Sequence, residues 1–163
     1  MVQQKQRAKA ALRRVYVPAS AATLLHLAES GAVEPLTTVH TVTSWLEREA
    51  PGADVEDLEY TAFADASMAS IGLLVGQAPR RVVISADVPE HLVSELGEGT
   101  AAEVSGSVTL KQIAAIHMDD ADAAVDIAAV LGSAEDPDLD VVEAHVLDWY
   151  APAELQELLA ALA

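Results

Sequence analysis

The sequence predicts an α/β domain in which a mixed, largely parallel sheet of about five to six strands is flanked by helices. Short β-branched segments alternate with amphipathic helical segments along the chain, a pattern that favours parallel strands joined by helices. Residues 81–88 form a near-continuous apolar run between two prolines, which is typical of a strand buried on both faces. A two-layer α+β arrangement is the alternative.

The individual elements follow from β-branched runs, capping residues and turn residues. The predicted strands cover residues 13–17, 36–42, 81–88, 103–110, 113–118 and 141–150. The predicted helices open at Ser20, Ser44, Asp54, Asp119 or Asp120, and Pro152. The longest helix carries an apolar stripe from Val55 to Leu73 and should pack centrally. Residues 90–100 are predicted to form an exposed loop, and Gly106 to mark a bulge.

The length and composition favour one domain over residues 13–163, preceded by a flexible basic extension over residues 1–12. The chain has 163 residues and no cysteine, which excludes a disulfide scaffold and every cysteine-based metal site. No stretch is apolar enough to span a bilayer or to form the core of a signal peptide. A cytoplasmic location without membrane attachment is therefore expected.

The charge is strongly and unevenly acidic. The formal net charge is −17, and five of the nine basic residues lie in the first fourteen positions. The rest of the chain carries a formal charge of about −22, which repels phosphate backbones, so nucleic acid is not an expected partner. An acidic surface suits a basic protein partner.

The most reactive group of side chains lies at predicted strand ends. His117, Asp119 and Asp120 lie at the end of an apolar strand, and Asp87 ends another. Imidazole and carboxylate oxygens bind divalent metals or act as an acid–base pair. If the two strands were parallel neighbours, Asp87 would converge with His117 and Asp119. The alternative is that Asp120 or Asp119 caps the next helix and that Asp87 serves a turn.

Two function classes follow from these observations. A non-enzymatic binding or regulatory domain is favoured, because no dinucleotide-binding, phosphate-loop or serine-elbow motif is present. The alternative is a metal-dependent hydrolase with Asp87, His117, Asp119 and Asp120 as candidate catalytic residues, of which His117 and Asp119 would hold the metal. No organic cofactor is indicated. A homodimer is possible through exposed leucines of the last helix.

Several stretches also carry a family resemblance. They are residues 14–19, 58–62, 81–84, 87–89, 116–120 and 147–150. Over about residues 13–162 the chain resembles an uncharacterised family of actinobacterial proteins that has no assigned activity. Similar proteins begin almost directly at the first strand, so the resemblance implies that the basic extension lies outside the shared domain.

Overall fold

Nine strands and six α-helices are present in the computed structural model, which describes residues 11–34 and 36–163. The strands are β1 (Leu12–Ala19), β2 (Ala32–Val33), β3 (Val39–His40), β4 (Val82–Pro89), β5 (Val93–Glu95), β6 (Ala101–Val104), β7 (Val108–Thr109), β8 (Ile113–Met118) and β9 (Asp148–Tyr150). The helices are α1 (Ala21–Ser30), α2 (Ser44–Glu49), α3 (Val55–Ile71), α4 (Ala121–Leu131), α5 (Asp140–Glu143) and α6 (Leu155–Leu162). The predicted extension over residues 1–12 falls almost wholly outside the described residues, and Leu12 already belongs to β1.

Seven strands form one sheet in the order β5-β6-β3-β1-β4-β8-β9, and every neighbouring pair is antiparallel. The short strands β2 and β7 form a separate antiparallel pair. The fold class is therefore α+β. The prediction of a largely parallel α/β sheet of about five to six strands is wrong, both in strand direction and in strand number. The α+β alternative names the right class.

Helices on both faces of the sheet explain why the strand pattern was misleading. Val15 and Val17 of β1 pack in a core with Leu24 of α1 and Leu158 of α6. On the opposite face, Tyr16 packs in a second core with Ala62 and Ala66 of α3. Central strands covered on both faces are continuously apolar whatever their direction. The layers number three, not the two of the α+β alternative.

A third, smaller core joins α4 and α5 to the turn after α3. It consists of Leu74, Ile127 and Val142, each fully buried. Ser70, also fully buried, fastens the same end of α3 to the sheet: its hydroxyl donates to the Ala19 carbonyl at 2.7 Å and accepts from the Val82 amide at 3.1 Å. These contacts fix α3 across the central strands of the sheet.

Four predicted segments differ in detail. In residues 36–42 only Val39 and His40 form a strand. Residues 103–110 contribute to two separate sheets, because Gly106 turns the chain with a left-handed φ of 91° instead of forming a bulge. Residues 141–150 divide between α5 and β9. The predicted loop over 90–100 contains β5, an edge strand.

The leucines of α6 face inward. Leu155 and Leu158 are buried in the main core, and Leu159 and Leu162 pack against it. The exposed leucines on which the predicted homodimer depends are therefore not observed, and the dimer itself stays a prediction. None of the helices in the described part of the chain is long and apolar enough to cross a membrane.

Candidate functional site

A polar cluster lies on the face of the sheet that α3 covers. Alternate residues of β1 point to this face, and the antiparallel register sets Arg14 opposite Asp87 and Tyr16 opposite Ser85. His117 of β8 joins them through a hydrogen bond between its Nε2 and the Ser85 hydroxyl at 2.8 Å. Three adjacent strands thus place a guanidinium, a carboxylate, a phenol, a hydroxyl and an imidazole side by side.

Arg14 and Asp87 form a bidentate ion pair at the outer end of this cluster. The Arg14 Nε lies 2.6 Å from Asp87 Oδ1, and Nη2 lies 3.0 Å from Oδ2. Both side chains are more than a third exposed, so the pair adds little to folding stability. The two charges compensate each other, which leaves neither group a free charge for an external ion.

His117 is held as a neutral side chain. Burial, reinforced by the charge of Arg14, lowers the pKa of His117 to about 4. The Phe63 ring of α3 packs against the imidazole at a centroid distance of 4.7 Å in an edge-to-face arrangement. Ser85 is only 2% exposed, so its hydroxyl is out of reach of an external substrate. The Ser85–His117 hydrogen bond therefore serves packing rather than nucleophilic attack.

Tyr16 also stays in its neutral form. Burial, together with the nearby carboxylate of Glu59, raises the pKa of the Tyr16 phenol to about 12. Phe63 contacts the Tyr16 ring as well, at 5.8 Å and nearly perpendicular. Tyr16, Phe63 and His117 are consequently uncharged; we call these three side chains the aromatic floor, and the compensated Arg14–Asp87 pair lies at its edge.

Beside this floor a groove of about 300 Å³ opens between α3 and residues 143–147. We call it the α3 groove. Its lining includes Tyr60, Phe63, Met68, Glu143, Val146 and Leu147. Tyr60 is 68% exposed and Val146 is 79% exposed. Exposed large apolar side chains next to a concavity are typical of binding surfaces.

Trp149 extends the same surface onto the edge strand. It lies directly opposite His117 in the β8–β9 pair, so its side chain is on the face of the sheet that carries His117 and Phe63. The Trp149 side chain is 62% exposed, whereas its neighbour Tyr150 packs against the main core.

The sequence contained one signal for this surface. Leu58, Ala62 and Ala66 form the buried stripe of α3, and Tyr60 lies off that stripe at helical spacing. An aromatic residue on the polar side of an amphipathic helix indicates exposed apolar area. The contribution of residues 143–147 had no such signal, because it depends on tertiary packing.

A comparison with family models decides where the chain belongs. Residues 13–159 match the model of a family of unknown function, DUF6912. The chain belongs to this family. The resemblance to an uncharacterised family is thereby confirmed, and the function of the DUF6912 family is not known. No curated protein and no solved structure matches the chain.

In this DUF6912 domain, Asp119 is enclosed by protein. Its Oδ2 accepts from the backbone amide and the Nε of Arg81, and its Oδ1 accepts from Arg81 Nη2, each at 2.8 Å. The Asp119 side chain is 0% exposed and that of Arg81 is 1% exposed. Both carboxylate oxygens are directed at a buried guanidinium, which leaves no open position for a metal ion.

The antiparallel register separates the remaining predicted residues. Met118 and His117 lie opposite Val82 and Val83, at the start of β4, whereas Asp87 lies four residues further along that strand, about 13 Å away. Among residues 11–34 and 36–163 no group of three His, Asp or Glu side chains is placed to hold a metal ion. The convergence expected for parallel strands does not occur, and catalytic roles for Asp87, His117, Asp119 and Asp120 stay predictions.

Asp120 is the N-cap of α4, as one of the sequence alternatives proposed. Its Oδ1 accepts from the Ala123 amide at 2.8 Å, and its own backbone is extended. Asp120→Ala removes that acceptor and should lower the free energy of unfolding by about 1 kcal/mol, as measured by urea denaturation. Asp122→Ala is the matched control, because Asp122 lies in the same first turn and is exposed. Equal losses for the two variants would contradict the capping role.

Asp65 of α3 has both a hydrogen-bond partner and access to solvent. It is exposed, and the Thr100 hydroxyl donates to its Oδ2 at 2.6 Å. Because that hydroxyl proton is committed to Asp65, the His40 Nδ1 at 2.9 Å must be the donor to Thr100. Burial lowers the pKa of His40, in keeping with a neutral imidazole that donates from Nδ1. These two hydrogen bonds link α3 to β3 and to Thr100, the residue before β6.

Proposed function

We propose that this DUF6912 domain is a non-enzymatic binding domain for a basic protein partner. The observation that carries the proposal is the charge of its surface. The described residues contain all 26 acidic side chains, of which only Asp119 is buried. Such a surface attracts cationic segments over a distance and accelerates their association.

The few described cations do not offset this field, because most of them are committed within the fold. Arg81 and Arg14 pair with Asp119 and Asp87. Arg13 bonds the Val42 carbonyl and Glu95, and Arg80 bonds the Asp119 carbonyl. Arg48 and Lys111 are the other two cations in the described part of the chain. The proposal keeps the cytoplasmic location predicted from the sequence, and nucleic acid is not expected to bind.

A salt titration with defined peptides tests this function. An arginine-rich peptide should bind the purified protein at about 20 mM NaCl and bind about tenfold more weakly at about 200 mM, because the Debye length falls from roughly 20 Å to roughly 7 Å. Fluorescence anisotropy of the labelled peptide measures the affinity. A glutamate-rich peptide of equal length is the control and should not bind. Absence of arginine-peptide binding at low salt would overturn the proposed function.

A further inference from the structure

We propose that the α3 groove, together with Trp149, is where the partner docks, and that it receives a cationic side chain, arginine or lysine, from a basic segment. This inference rests on the proposed function and gives it a location. The groove combines the exposed Tyr60 and Val146 with the carboxylate of Glu143. An apolar wall beside a carboxylate matches the aliphatic stem and charged head of such a side chain.

The aromatic side chains supply the second element of recognition. Tyr60 and Trp149 are 68% and 62% exposed, so more than half of each residue's surface is open to a ligand. Cations bind preferentially to the faces of tyrosine and tryptophan rings, and a guanidinium also stacks on them. The uncharged His117, which packs against Phe63 of the groove lining, introduces no competing positive charge at neutral pH.

The charges around the groove favour the same occupant. Glu143 lines it, and the His145 ring on its wall is hydrogen-bonded to Asp126 at 2.6 Å. Arg81 also lines it, but its charge is matched by Asp119 in a pair that is buried from solvent. Asp148 is exposed beside Trp149. A cation therefore meets carboxylates here without an unmatched cation of the protein among the lining residues.

Two groove substitutions with matched controls test the docking site. Tyr60→Ala removes the exposed ring and Glu143→Gln removes the carboxylate, so each should weaken arginine-peptide binding about three- to tenfold. Val55→Ala truncates a residue that is 66% exposed on the same helix but outside the groove. Glu157→Gln removes an exposed acid from α6, on the opposite face of the sheet. Both controls should change the affinity by less than about twofold.

The outcomes separate this inference from the proposed function. Suppose that Glu143→Gln and Glu157→Gln weaken binding equally and that Tyr60→Ala has no effect. The α3 groove is then not the docking site, while the proposed binding of basic partners by the acidic surface stands. If the wild-type protein binds no arginine peptide, both are overturned. A dimer in sedimentation velocity that Tyr60→Ala converts to a monomer would assign the groove to a second copy of the chain and overturn the cationic occupant. Circular dichroism verifies that each variant is folded.

Discussion

Asp119→Ala is expected to lower the free energy of unfolding by about 3–5 kcal/mol, because it leaves the buried Arg81 guanidinium without its counter-charge. In the wild-type protein three N–H groups of Arg81 bond to this one carboxylate. After the substitution, the His145 carbonyl at 3.2 Å is the acceptor that Arg81 retains. For a chain of this size the loss corresponds to a decrease in Tm of roughly 6–20 °C. Urea denaturation followed by circular dichroism measures it.

Two comparisons make this prediction specific to the buried pair. Asp87→Ala breaks an ion pair of the same residue types that is partly exposed, and should cost at most about 1 kcal/mol. The double variant Arg81→Met, Asp119→Leu replaces both charges by apolar side chains and should lose less stability than Asp119→Ala alone. If Asp119→Ala cost no more than Asp87→Ala, the unpaired Arg81 guanidinium would not carry the penalty that its burial predicts.

The Arg81–Asp119 pair also positions the α3 groove. Arg81 precedes β4, Asp119 follows β8, and the same guanidinium bonds the His145 carbonyl within the segment that forms one wall. The His145 ring is in turn bonded to Asp126 of α4. Two contacts therefore fix residues 143–147: Arg81 bonds the His145 carbonyl, and Asp126 bonds the His145 ring. Asp119, which the sequence offers as a metal ligand, contributes to the proposed binding surface through this indirect support.

Local patterns in the sequence predicted most elements. The strands around residues 13–17, 81–88 and 113–118 are confirmed as β1, β4 and β8, because β-branched runs between turn residues are strong signals. The helices opened by Ser20 and Asp54 are confirmed as α1 and α3. These signals are local, since they depend on propensity, capping and periodicity within one segment.

Strand direction and side-chain pairing could not be predicted from local sequence signals. β1 and β4 are neighbours although more than sixty residues separate them in the chain, and no local pattern encodes that adjacency. Arg81 and Asp119, 38 residues apart, pair for the same reason. Asp119 and Asp120 are equivalent in sequence, yet one is buried in an ion pair and the other caps α4. Of the candidate site, only the position of Tyr60 could be predicted from the sequence, because an aromatic residue off the buried stripe of α3 indicates exposed apolar area.

Acidification is expected to destabilise the fold through His117. The pKa of His117 is about 4 in the folded state, against 6.5 for an unperturbed histidine. Between these values the unfolded chain binds a proton that the folded protein does not, so the unfolded state is favoured as the pH falls. The stabilisation is therefore complete above about pH 6.5 and is lost as the pH falls towards 4. The full difference corresponds to about 3 kcal/mol, and partial exposure of His117 reduces the expected loss to about 2 kcal/mol.

Urea denaturation at a series of pH values, with His117→Gln as the variant, isolates this effect. The glutamine does not titrate and retains a polar group for Ser85, so the stability of the variant should decline less between pH 6.5 and 4 than that of the wild type. His26→Gln is the control, because it removes an exposed histidine and should leave the wild-type decline in place. An NMR titration of the His117 ring gives the pKa directly. A midpoint near 6.5 would show that the imidazole is solvated, and His117 would then carry a positive charge next to the α3 groove at mildly acidic pH.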